Sequence, residues 1–409
     1  MDAARVLKSV EGMKGDIVDA LTELCKIPAL CPEHGGQGEA EKFALLADML
    51  NDLGFPKGRD YPSKDKRVPG GKRHNIVVRI KGDSGAKERI WIVSHVDVVP
   101  PGEPSLWKTD PYMPVVRGGR LYGRGTEDNG QAIVTSIFAA KALIDGDARP
   151  RKDVMLAFVS DEEVGSRHGI QHIIGEDLVR CEDLVVVPDA GSEDGRYIEV
   201  VEKSHLQLKL TVTGKQCHAS RPHKGINAYR AASQYVVEAT DTLYSKYGGR
   251  DELYEPPYST FEPTKKQANV PNVNTIPGED VSFFDYRILP GQDMECIMQD
   301  LKKLGARLSE KSGARFDIET VSMSEAAPAT PADSPVVKAL AASIKSVRGV
   351  SARPQGIGGG TCAAHFRQAG IPAAVWATID ETAHEPNEYA TIKNMVSDAK
   401  VYAHLFMTA

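Results

Sequence analysis

Short apolar runs alternate with stretches of helical periodicity through the first half of the chain. Four runs have the length and composition of buried strands, at residues 75–80, 90–93, 154–159 and 184–187. Apolar positions recur at helical spacing over residues 6–24, 39–53 and 132–143. Strands that alternate with helices predict an α/β fold, built on a mixed, mostly parallel sheet with helices on both faces.

The pattern changes near Glu202, where polar and apolar residues begin to alternate. Residues 205–212 alternate as a strand with one face in water would. A long polar segment at 244–266 follows a helical stretch at 228–243. Further strands are predicted at 280–288 and 316–321, with a helix at 293–308 between them. These elements predict a smaller α+β domain with an open-faced antiparallel sheet.

The first pattern returns near residue 323, after which a helix is predicted at 336–347, a strand at 373–377 and a helix at 391–405. At 409 residues the chain has the length of two domains. We therefore predict a larger domain formed by residues 1–202 and 323–409, with a smaller domain at 203–322 inserted into it.

Composition and charge exclude several classes of protein. With 50 basic and 56 acidic residues, the net charge is -6, and no basic cluster is dense enough to suggest a nucleic-acid partner. No apolar run approaches the ~20 residues of a membrane span, and the first residues lack the apolar core of a signal peptide. The six cysteines are scattered, without a CxxC pair, which predicts free thiols in a reducing cytoplasm.

Five segments carry residues that bind divalent metals, and four of the five lie just past a predicted strand. They contribute the side chains His95, Asp97, Asp128, Glu162, Glu163, Asp189 and His384. Taken singly, each motif has a structural explanation, such as a helix start that favours Glu162 and Glu163. Their joint placement at the carboxyl edge of the sheet, where α/β folds bind ligands, favours a metal site. Two histidines and three carboxylates suit two zinc ions that share a carboxylate.

These motifs resemble, in order, those of the co-catalytic zinc family of aminoacylases, dipeptidases, carboxypeptidase G, succinyl-diaminopimelate desuccinylases and acetylornithine deacetylases. The resemblance rests on S-H-x-D at 94–97, G-R-G-x-x-D at 123–128, D-E-E-x-G at 161–165, the acidic residue 189 and the histidine loop at 383–388. It extends from about residue 15 to the C-terminus, and it implies a catalytic, metal-binding domain at 1–202 and 323–409 with a lid or dimerisation domain at 203–322.

The resemblance implies a role for each of these residues. His95 and Asp189 would bind one metal ion, Glu163 and His384 would bind the other, and Asp128 would bridge the two. Asp97 would hydrogen-bond the outer nitrogen of His95. Glu162 would be the general base that takes a proton from the attacking water and delivers it to the leaving amine.

The resemblance also implies roles in substrate binding. His218 corresponds to a lid histidine that, in relatives, reaches the active site of a partner subunit and stabilises the oxyanion. Arg287 would pair with a substrate carboxylate and Asn274 would donate to the substrate, although a structural ion pair and a turn explain these residues equally well. Gly359 and Thr361 lie in a glycine-rich turn whose backbone N–H groups could meet a carboxylate.

Two positions depart from the family pattern. Relatives often carry a lysine after the bridging aspartate and its neighbour, whereas Asn129 is followed directly by Gly130. Relatives also often continue the glycine-rich turn to an acidic residue, whereas Cys362 follows Thr361. Neither change removes a predicted metal ligand, so both bear on substrate choice more than on hydrolysis.

We therefore expect a dinuclear zinc metallopeptidase that hydrolyses small peptides or dipeptides with a free carboxylate, and that forms a homodimer through the inserted domain. Cobalt and manganese accept the same types of ligand as zinc. An N-acyl-amino-acid deacylase or desuccinylase would use the same metal site. An inactive metal-binding protein and an enzyme with one metal ion are the remaining alternatives.

Overall fold

The computed structural model describes residues 3–83 and 85–409. The α-helices in this part of the chain are α1 (Ala3–Gly12), α2 (Lys14–Cys25), α3 (Ala40–Asp52), α4 (Gln131–Asp145), α5 (Ile170–Gly175), α6 (Ala228–Lys246), α7 (Met294–Ser312), α8 (Pro335–Arg348), α9 (Ala363–Gln368) and α10 (Ile392–Thr408). Within residues 3–83 and 85–409, no helix is both long enough and apolar enough to cross a membrane.

The strands of the same residues vary from two-residue bridges to ten-residue strands. They are β1 (Arg59–Asp60), β2 (Ser63–Lys64), β3 (Lys72–Arg73), β4 (Ile76–Ile80), β5 (Arg89–His95), β6 (Val115–Arg117), β7 (Arg120–Tyr122), β8 (Asp153–Val159), β9 (Leu184–Ser192), β10 (Tyr197–Glu202), β11 (Ser204–Thr213), β12 (Cys217–His218), β13 (Thr260–Lys266), β14 (Thr275–Ile276), β15 (Glu279–Ile288), β16 (Arg315–Ser324), β17 (Arg353–Ile357), β18 (Ala373–Thr378) and β19 (Tyr389–Thr391).

The chain divides into two compact units. The first unit comprises Met1–Val200, Ala327–Gln355 and Gly360–Ala409, and the second comprises Val201–Ala326 and Gly356–Gly359. The sequence predicts an insert at 203–322, whereas the second unit also takes in a short glycine-containing segment. Gly356 joins it because its N–H donates to the carbonyl oxygen of Leu253 and its Cα faces the Tyr254 ring.

The first unit is built on a mixed sheet with the strand order β1-β4-β8-β5-β9-β18-β10-β17. The central strands β8, β5, β9 and β18 run parallel, while β4 and β10 pair with them in the antiparallel direction. Every residue of β5 after Arg89 is buried, as expected for a strand covered on both faces. Strand β18, from the last third of the chain, lies between β9 and β10.

Helices cover both faces of this sheet. Trp91 and Val93 pack with Ile170 of α5 and Phe366 of α9 in one apolar cluster. Successive side chains of a strand point to opposite faces, and α4 and α10 contact strands of the same sheet and pack against each other. The predicted α/β class, with helices on both faces, is therefore confirmed.

The second unit contains a four-stranded antiparallel sheet with the order β13-β15-β11-β16. In β11 buried and half-buried residues alternate strictly, and the buried ones pack against α6 and α7. The predicted α+β character of this part, with one wet face, follows from that alternation.

β13 and β17 are among the strands that the sequence does not predict. β13 falls within the predicted polar segment at 244–266, where Phe261 is its single fully buried residue. It is an edge strand, and its register shifts between Pro263 and Lys265, so the missing proline N–H is tolerated. β17 is likewise an edge strand and contains Pro354 and Gly356, which are both unfavourable for strand prediction.

Candidate metal centre

The predicted ligands converge at the carboxyl ends of the parallel strands of the first unit. His95 ends β5 and pairs in register with Val159, the last residue of β8. A short helical turn, Glu162–Val164, follows β8 directly. Asp189 lies in the second half of β9, and His384 follows β18. Because adjacent parallel strands end at the same edge, five distant segments of sequence meet there.

Asp189 lies in a bulge of β9. Val187 and Gly191 of β9 face Val375 and Ala377 of β18, so residues 188–190 oppose Trp376 alone. Extra residues in a bulge leave the regular ladder and re-aim the side chains they carry. The sequence predicts that this strand ends at residue 187, whereas it continues through the bulge to Ser192.

The two carboxylate oxygens of Asp128 face two different histidines. Oδ1 lies 2.9 Å from His95 Nε2, and Oδ2 lies 3.1 Å from His384 Nε2. A further carboxylate accompanies each histidine: Asp189 Oδ1 is 3.3 Å from His95 Nε2, and Glu163 Oε2 is 3.1 Å from His384 Nε2. The site therefore consists of two histidine–carboxylate groups joined through Asp128.

This donor set fits a pair of divalent cations. One ligand atom each from His95, Asp128 and Glu163 lie within 4.8 Å of one another. Oε1 of Glu163 is buried and has no hydrogen-bond partner in the part of the chain that the structure describes. Imidazole nitrogens and carboxylate oxygens are ligands for zinc, manganese and cobalt. His95, Asp128 and Asp189 could hold one ion, and Asp128, Glu163 and His384 the other.

Burial and crowding perturb the acids of this centre. Burial, followed by repulsion from Asp189, raises the pKa of Glu162 well above its ordinary value. Burial and the Asp128 charge raise the pKa of Glu163 to about 7. Burial also raises the pKa of Asp189. Asp128 differs, because hydrogen bonds with His384 and His95 outweigh its burial and lower its pKa.

The two histidines are held in the charged form by these acids. Hydrogen bonds with Asp128 and Glu163 raise the pKa of His384 to about 10. Burial lowers the pKa of His95, but the charge of Asp189 and hydrogen bonds to the surrounding aspartates outweigh it and raise the pKa well above 6.5. Without a metal, the centre therefore keeps protons at positions where cations would otherwise sit.

Glu162, predicted as the general base, lies beside the same ligands. One of its carboxylate oxygens, His95 and Asp189 offer ligand atoms within 4.8 Å of one another. Distance alone therefore does not distinguish a base from a ligand at this position, and the distinction rests on chemistry.

Asp97 holds the segment that carries both glutamates. Its Oδ1 accepts the backbone N–H of Glu162 at 3.0 Å, and its Oδ2 accepts that of Glu163 at 3.1 Å. His95 Nδ1 is 3.1 Å from the Asp97 carbonyl oxygen and 3.4 Å from its Oδ1. The backbone of Asp97 is therefore the nearer partner of His95, and its carboxylate chiefly fixes the two glutamates.

Asn129 occupies a central place that the sequence does not reveal. Its Nδ2 donates to Asp189 Oδ1 at 2.7 Å and to the carbonyl oxygen of Pro188 at 2.9 Å. Its Oδ1 accepts the backbone N–H of His95 at 3.2 Å. The peptide bond between Asp128 and Asn129 is cis. From the sequence, Asn129 marks only the point where the family's lysine is missing.

A buried charge network lies behind Asp97. The Cys31 thiol is 3.4 Å from Asp97 Oδ2 and 3.5 Å from Glu39 Oε1. Arg73 donates to the Cys31 sulfur at 3.0 Å and forms an ion pair with Glu39. All four side chains are buried. Because the Arg73 guanidinium already supplies a positive charge, this group of thiol and carboxylates needs no metal.

His218 and Asn274 are neighbours within the second unit. His218 pairs with Thr275, and the carbonyl oxygen of Asn274 accepts the N–H of Ala219 at 2.8 Å. His218 is exposed, and its Nδ1 accepts the backbone N–H of Ser220 at 3.1 Å. An amide N–H can only donate, so the proton of the neutral ring lies on Nε2. His218 thus presents an N–H donor.

Arg287 is engaged inside the second unit. Its Nε and Nη2 donate to the two oxygens of Asp285 at 2.6 and 3.1 Å, and its Nη1 donates to the Gly358 carbonyl oxygen at 3.1 Å. This arrangement is the structural ion pair weighed above as the alternative. It leaves part of the guanidinium's set of donors for another partner.

The remaining two predicted substrate residues fall in different units. Gly359 is exposed in the second unit, and Thr361 is buried in the first. Thr361 Oγ1 accepts the N–H of Ala363 at 3.2 Å, at the start of the six-residue helix α9.

Comparison with known proteins identifies the family. The model described as peptidase family M20/M25/M40 matches residues 91–408. The chain belongs to this family. It is an M20 metallohydrolase, a hydrolase that acts on amide bonds, and membership of the family implies divalent metal ions. The family, the fold and the class of enzyme predicted from the sequence are thereby confirmed.

Relatives of this M20 chain match over nearly their whole length. An uncharacterised metallohydrolase of Methanococcus maripaludis is 37% identical over 411 residues, covering 95% of this chain and 97% of the relative. A succinyl-diaminopimelate desuccinylase of Alkalilimnicola ehrlichii is 27% identical over 365 residues, covering 88% and 91%. The crystal structure of human carnosine dipeptidase 1 superposes with a TM-score of 0.80 at 17% identity, covering 99% and 98%.

Proposed function

We propose that this chain is a dinuclear zinc metallopeptidase that hydrolyses small peptides or dipeptides with a free carboxylate. The observation that carries the proposal is the position of Asp128, which offers one oxygen to the group around His95 and the other to the group around His384. One zinc ion would be held by His95, Asp128 and Asp189, and the other by Asp128, Glu163 and His384.

Glu162 would move the proton in the reaction. When bound, zinc supplies a Lewis acid that polarises a carbonyl and lowers the pKa of water to about 7. Because burial and the charge of Asp189 raise its pKa, Glu162 binds a proton more readily than an ordinary glutamate does. It would accept the proton of the attacking water and pass it to the leaving amine. Asp97 fixes the Glu162 backbone for this role.

Residues of the second unit and the glycine-rich turn would bind the substrate. The Nε2–H of His218 would donate to the oxyanion, a contribution that grows as charge develops. Asn274 would donate to the substrate, and the free donors of Arg287 would meet its carboxylate. Gly359 and Thr361 would present backbone N–H groups. The family resemblance supports each of these assignments.

We also propose a cytoplasmic homodimer formed through the second unit. β16 is an edge strand that exposes Val321 and Met323, and α6 exposes Tyr229 and Val237. Exposed apolar side chains beside an unpaired strand edge favour association. The six cysteines are free, which supports a reducing compartment. Sedimentation equilibrium of the purified chain tests the dimer.

Deacylation of N-acyl amino acids is the second candidate function. Relatives from Alkalilimnicola ehrlichii and Acinetobacter baylyi are named succinyl-diaminopimelate desuccinylases, at 27% and 25% identity. The same metal centre would serve, since both reactions cleave an amide bond next to a carboxylate-bearing group. The choice between the two functions therefore depends on the acyl side of the substrate.

The deciding experiment compares matched substrates on zinc-loaded enzyme whose metal content is measured. The panel pairs dipeptides with N-acetyl and N-succinyl amino acids of the same leaving residue, and repeats each with the carboxylate amidated. We expect cleavage of the free-carboxylate dipeptides. Turnover confined to the N-acyl set would establish the deacylase, and two metals without any turnover would establish the inactive metal-binding protein. Full activity at one metal per chain would replace the dinuclear site with a single-metal site.

A further inference from the structure

Asp128 and His384 lie on two separate loops, and each loop also carries a buried glutamate. Glu127 precedes Asp128 in the turn that leads into α4, and Glu388 lies four residues after His384 in the loop after β18. Glu127 is 4% exposed and Glu388 is fully buried. Neither is a predicted ligand, base or substrate residue.

The Glu388 carboxylate binds the backbone of the turn that carries Asp128. Its Oε1 accepts the N–H of Glu127 at 2.8 Å and that of Asp128 at 3.0 Å. Its Oε2 accepts the N–H of Gly125 at 2.8 Å and Nη1 of Arg124 at 2.6 Å. Asp128 itself is therefore bonded to Glu388 through its own amide.

The Glu127 carboxylate binds the backbone of the loop that carries His384. Its Oε1 accepts the N–H of Asp380 at 2.6 Å. Its Oε2 accepts the N–H groups of Thr382 and Ala383 and the Thr382 hydroxyl. The bond from Ala383 ends directly before His384. Each glutamate thus stabilises the loop that carries the other glutamate.

The His384 loop has particular need of such support. Three residues of this loop have φ values in the left-handed region, which residues other than glycine rarely adopt. They are Glu381 at 58°, His384 at 64° and Asn387 at 63°. Such residues persist where surrounding contacts fix them. The contacts supplied by Glu127 reach both sides of Glu381, so they are well placed to fix the backbone that presents His384.

We propose that Glu127 and Glu388 are positioning residues with unequal effects on the two metal ions. Glu127 fixes His384, a ligand of one ion, whereas Glu388 fixes Asp128, the ligand that both ions share. Loss of Glu127 therefore lowers the affinity for one ion, and loss of Glu388 lowers the affinity for both. The inference rests on the proposed function to the extent that Asp128 and His384 hold metal.

Glutamine substitutions test this asymmetry. Glu127→Gln and Glu388→Gln replace one acceptor oxygen by an amide that donates toward backbone N–H groups. Metal content is measured by mass spectrometry after dialysis at a fixed free zinc concentration, and the affinity of each site by cobalt titration followed by absorption. We expect an affinity loss of about 10-fold to 100-fold, the usual range for groups that orient ligands. It should affect one site in Glu127→Gln and both sites in Glu388→Gln.

Two further variants keep the test decisive. Glu385→Gln is the matched control, because Glu385 is exposed in the same loop, and its two metal affinities should equal those of the wild type. Thr382→Val removes the hydroxyl donor to Glu127, together with the hydrogen bonds of that hydroxyl to the Tyr389 backbone, and should weaken metal binding at one site by a smaller factor. Circular dichroism melting curves verify the folding of each variant. If the glutamine variants fail to fold, unchanged affinities in Thr382→Val overturn the inference.

The possible results separate this inference from the proposed function. A wild-type chain that does not bind two metal ions removes the proposed dinuclear centre. Two ions in the wild type, with unchanged affinities in both glutamine variants, leave that centre standing and overturn the positioning role. Equal loss at both sites in Glu127→Gln would contradict the asymmetry.

Discussion

The Arg73 guanidinium donates a hydrogen bond to the buried Cys31 thiol, with 3.0 Å between nitrogen and sulfur. The thiol in turn lies next to two carboxylates, Glu39 and Asp97. Burial is the largest of the effects that raise the pKa of Cys31, so the thiol keeps its proton and can donate it. The neutral thiol thus donates toward the aspartate that holds the backbone of Glu162 and Glu163, while Arg73 fixes the thiol and pairs with Glu39.

Arg73→Met should destabilise the protein severely. It leaves Glu39 buried without its cation, and breaking a buried ion pair costs about 3–5 kcal/mol. The free energy of unfolding, measured by urea denaturation of the metal-free protein, checks this value. Arg67→Met is the control, since Arg67 is half exposed and its ion pairs should contribute less than about 1 kcal/mol. Similar losses in the two variants would contradict a special role for Arg73.

Glu162→Gln should lower kcat by about 100-fold to 10,000-fold, the range attributed to general acid–base catalysis. The metal content should stay at that of the wild type, because the ligands His95, Asp128 and Asp189 are unchanged. Steady-state kinetics and metal analysis on the same preparation provide the check. A parallel loss of metal would make Glu162 a ligand, consistent with its distance from His95 and Asp189.

Metal binding should release protons and weaken as the pH falls. In the metal-free protein the pKa of Glu163 is about 7 and that of His384 about 10, so both carry protons at pH 6. A metal must displace these protons, whereas at pH 8 Glu163 has already lost its own. Calorimetric titration in two buffers with different ionisation enthalpies should show greater proton release at pH 6 than at pH 8. Equal release at the two pH values would argue against Glu163 as a ligand.

Arg287→Met should reduce the preference for a free carboxylate. The proposed contact acts only on substrates that carry this group, so kcat/KM should fall about 10-fold or more for the free dipeptide relative to its amide, since a charged hydrogen bond contributes about 1.5–3 kcal/mol. The comparison of the two substrates is the measurement. A structural role through Asp285 alone would lower both values by the same factor.

Part of the centre could be predicted because its residues follow strand ends. Asp189 and His384 belong to segments that come after apolar runs, and their shared edge follows from the α/β fold. Asn129 could not be assigned in this way, because its partners His95 and Asp189 are distant in sequence. Cys31 and Arg73 could not be assigned either, because their surroundings form only when distant segments of the chain pack together.

Two local features also escaped prediction for physical reasons. The strand around Pro263 lies at a sheet edge, where pairing with one neighbour overrides poor local propensity. The bulge around Asp189 depends on a strand from the last third of the chain. Sequence patterns indicate which side chains are buried, but they do not indicate which distant strand pairs with a given segment of backbone.

The place of β18 between β9 and β10 determines how the chain can be cut. A fragment that ended at Glu202, the last residue of β10, would contain β9 and β10 but lack the strand that separates them. Both would present unpaired, apolar edges, a combination that promotes aggregation. Fragment expression or proteolysis should therefore give insoluble material. The sheet of the first unit takes its strands from the chain on both sides of the inserted unit, so it cannot be completed without both parts.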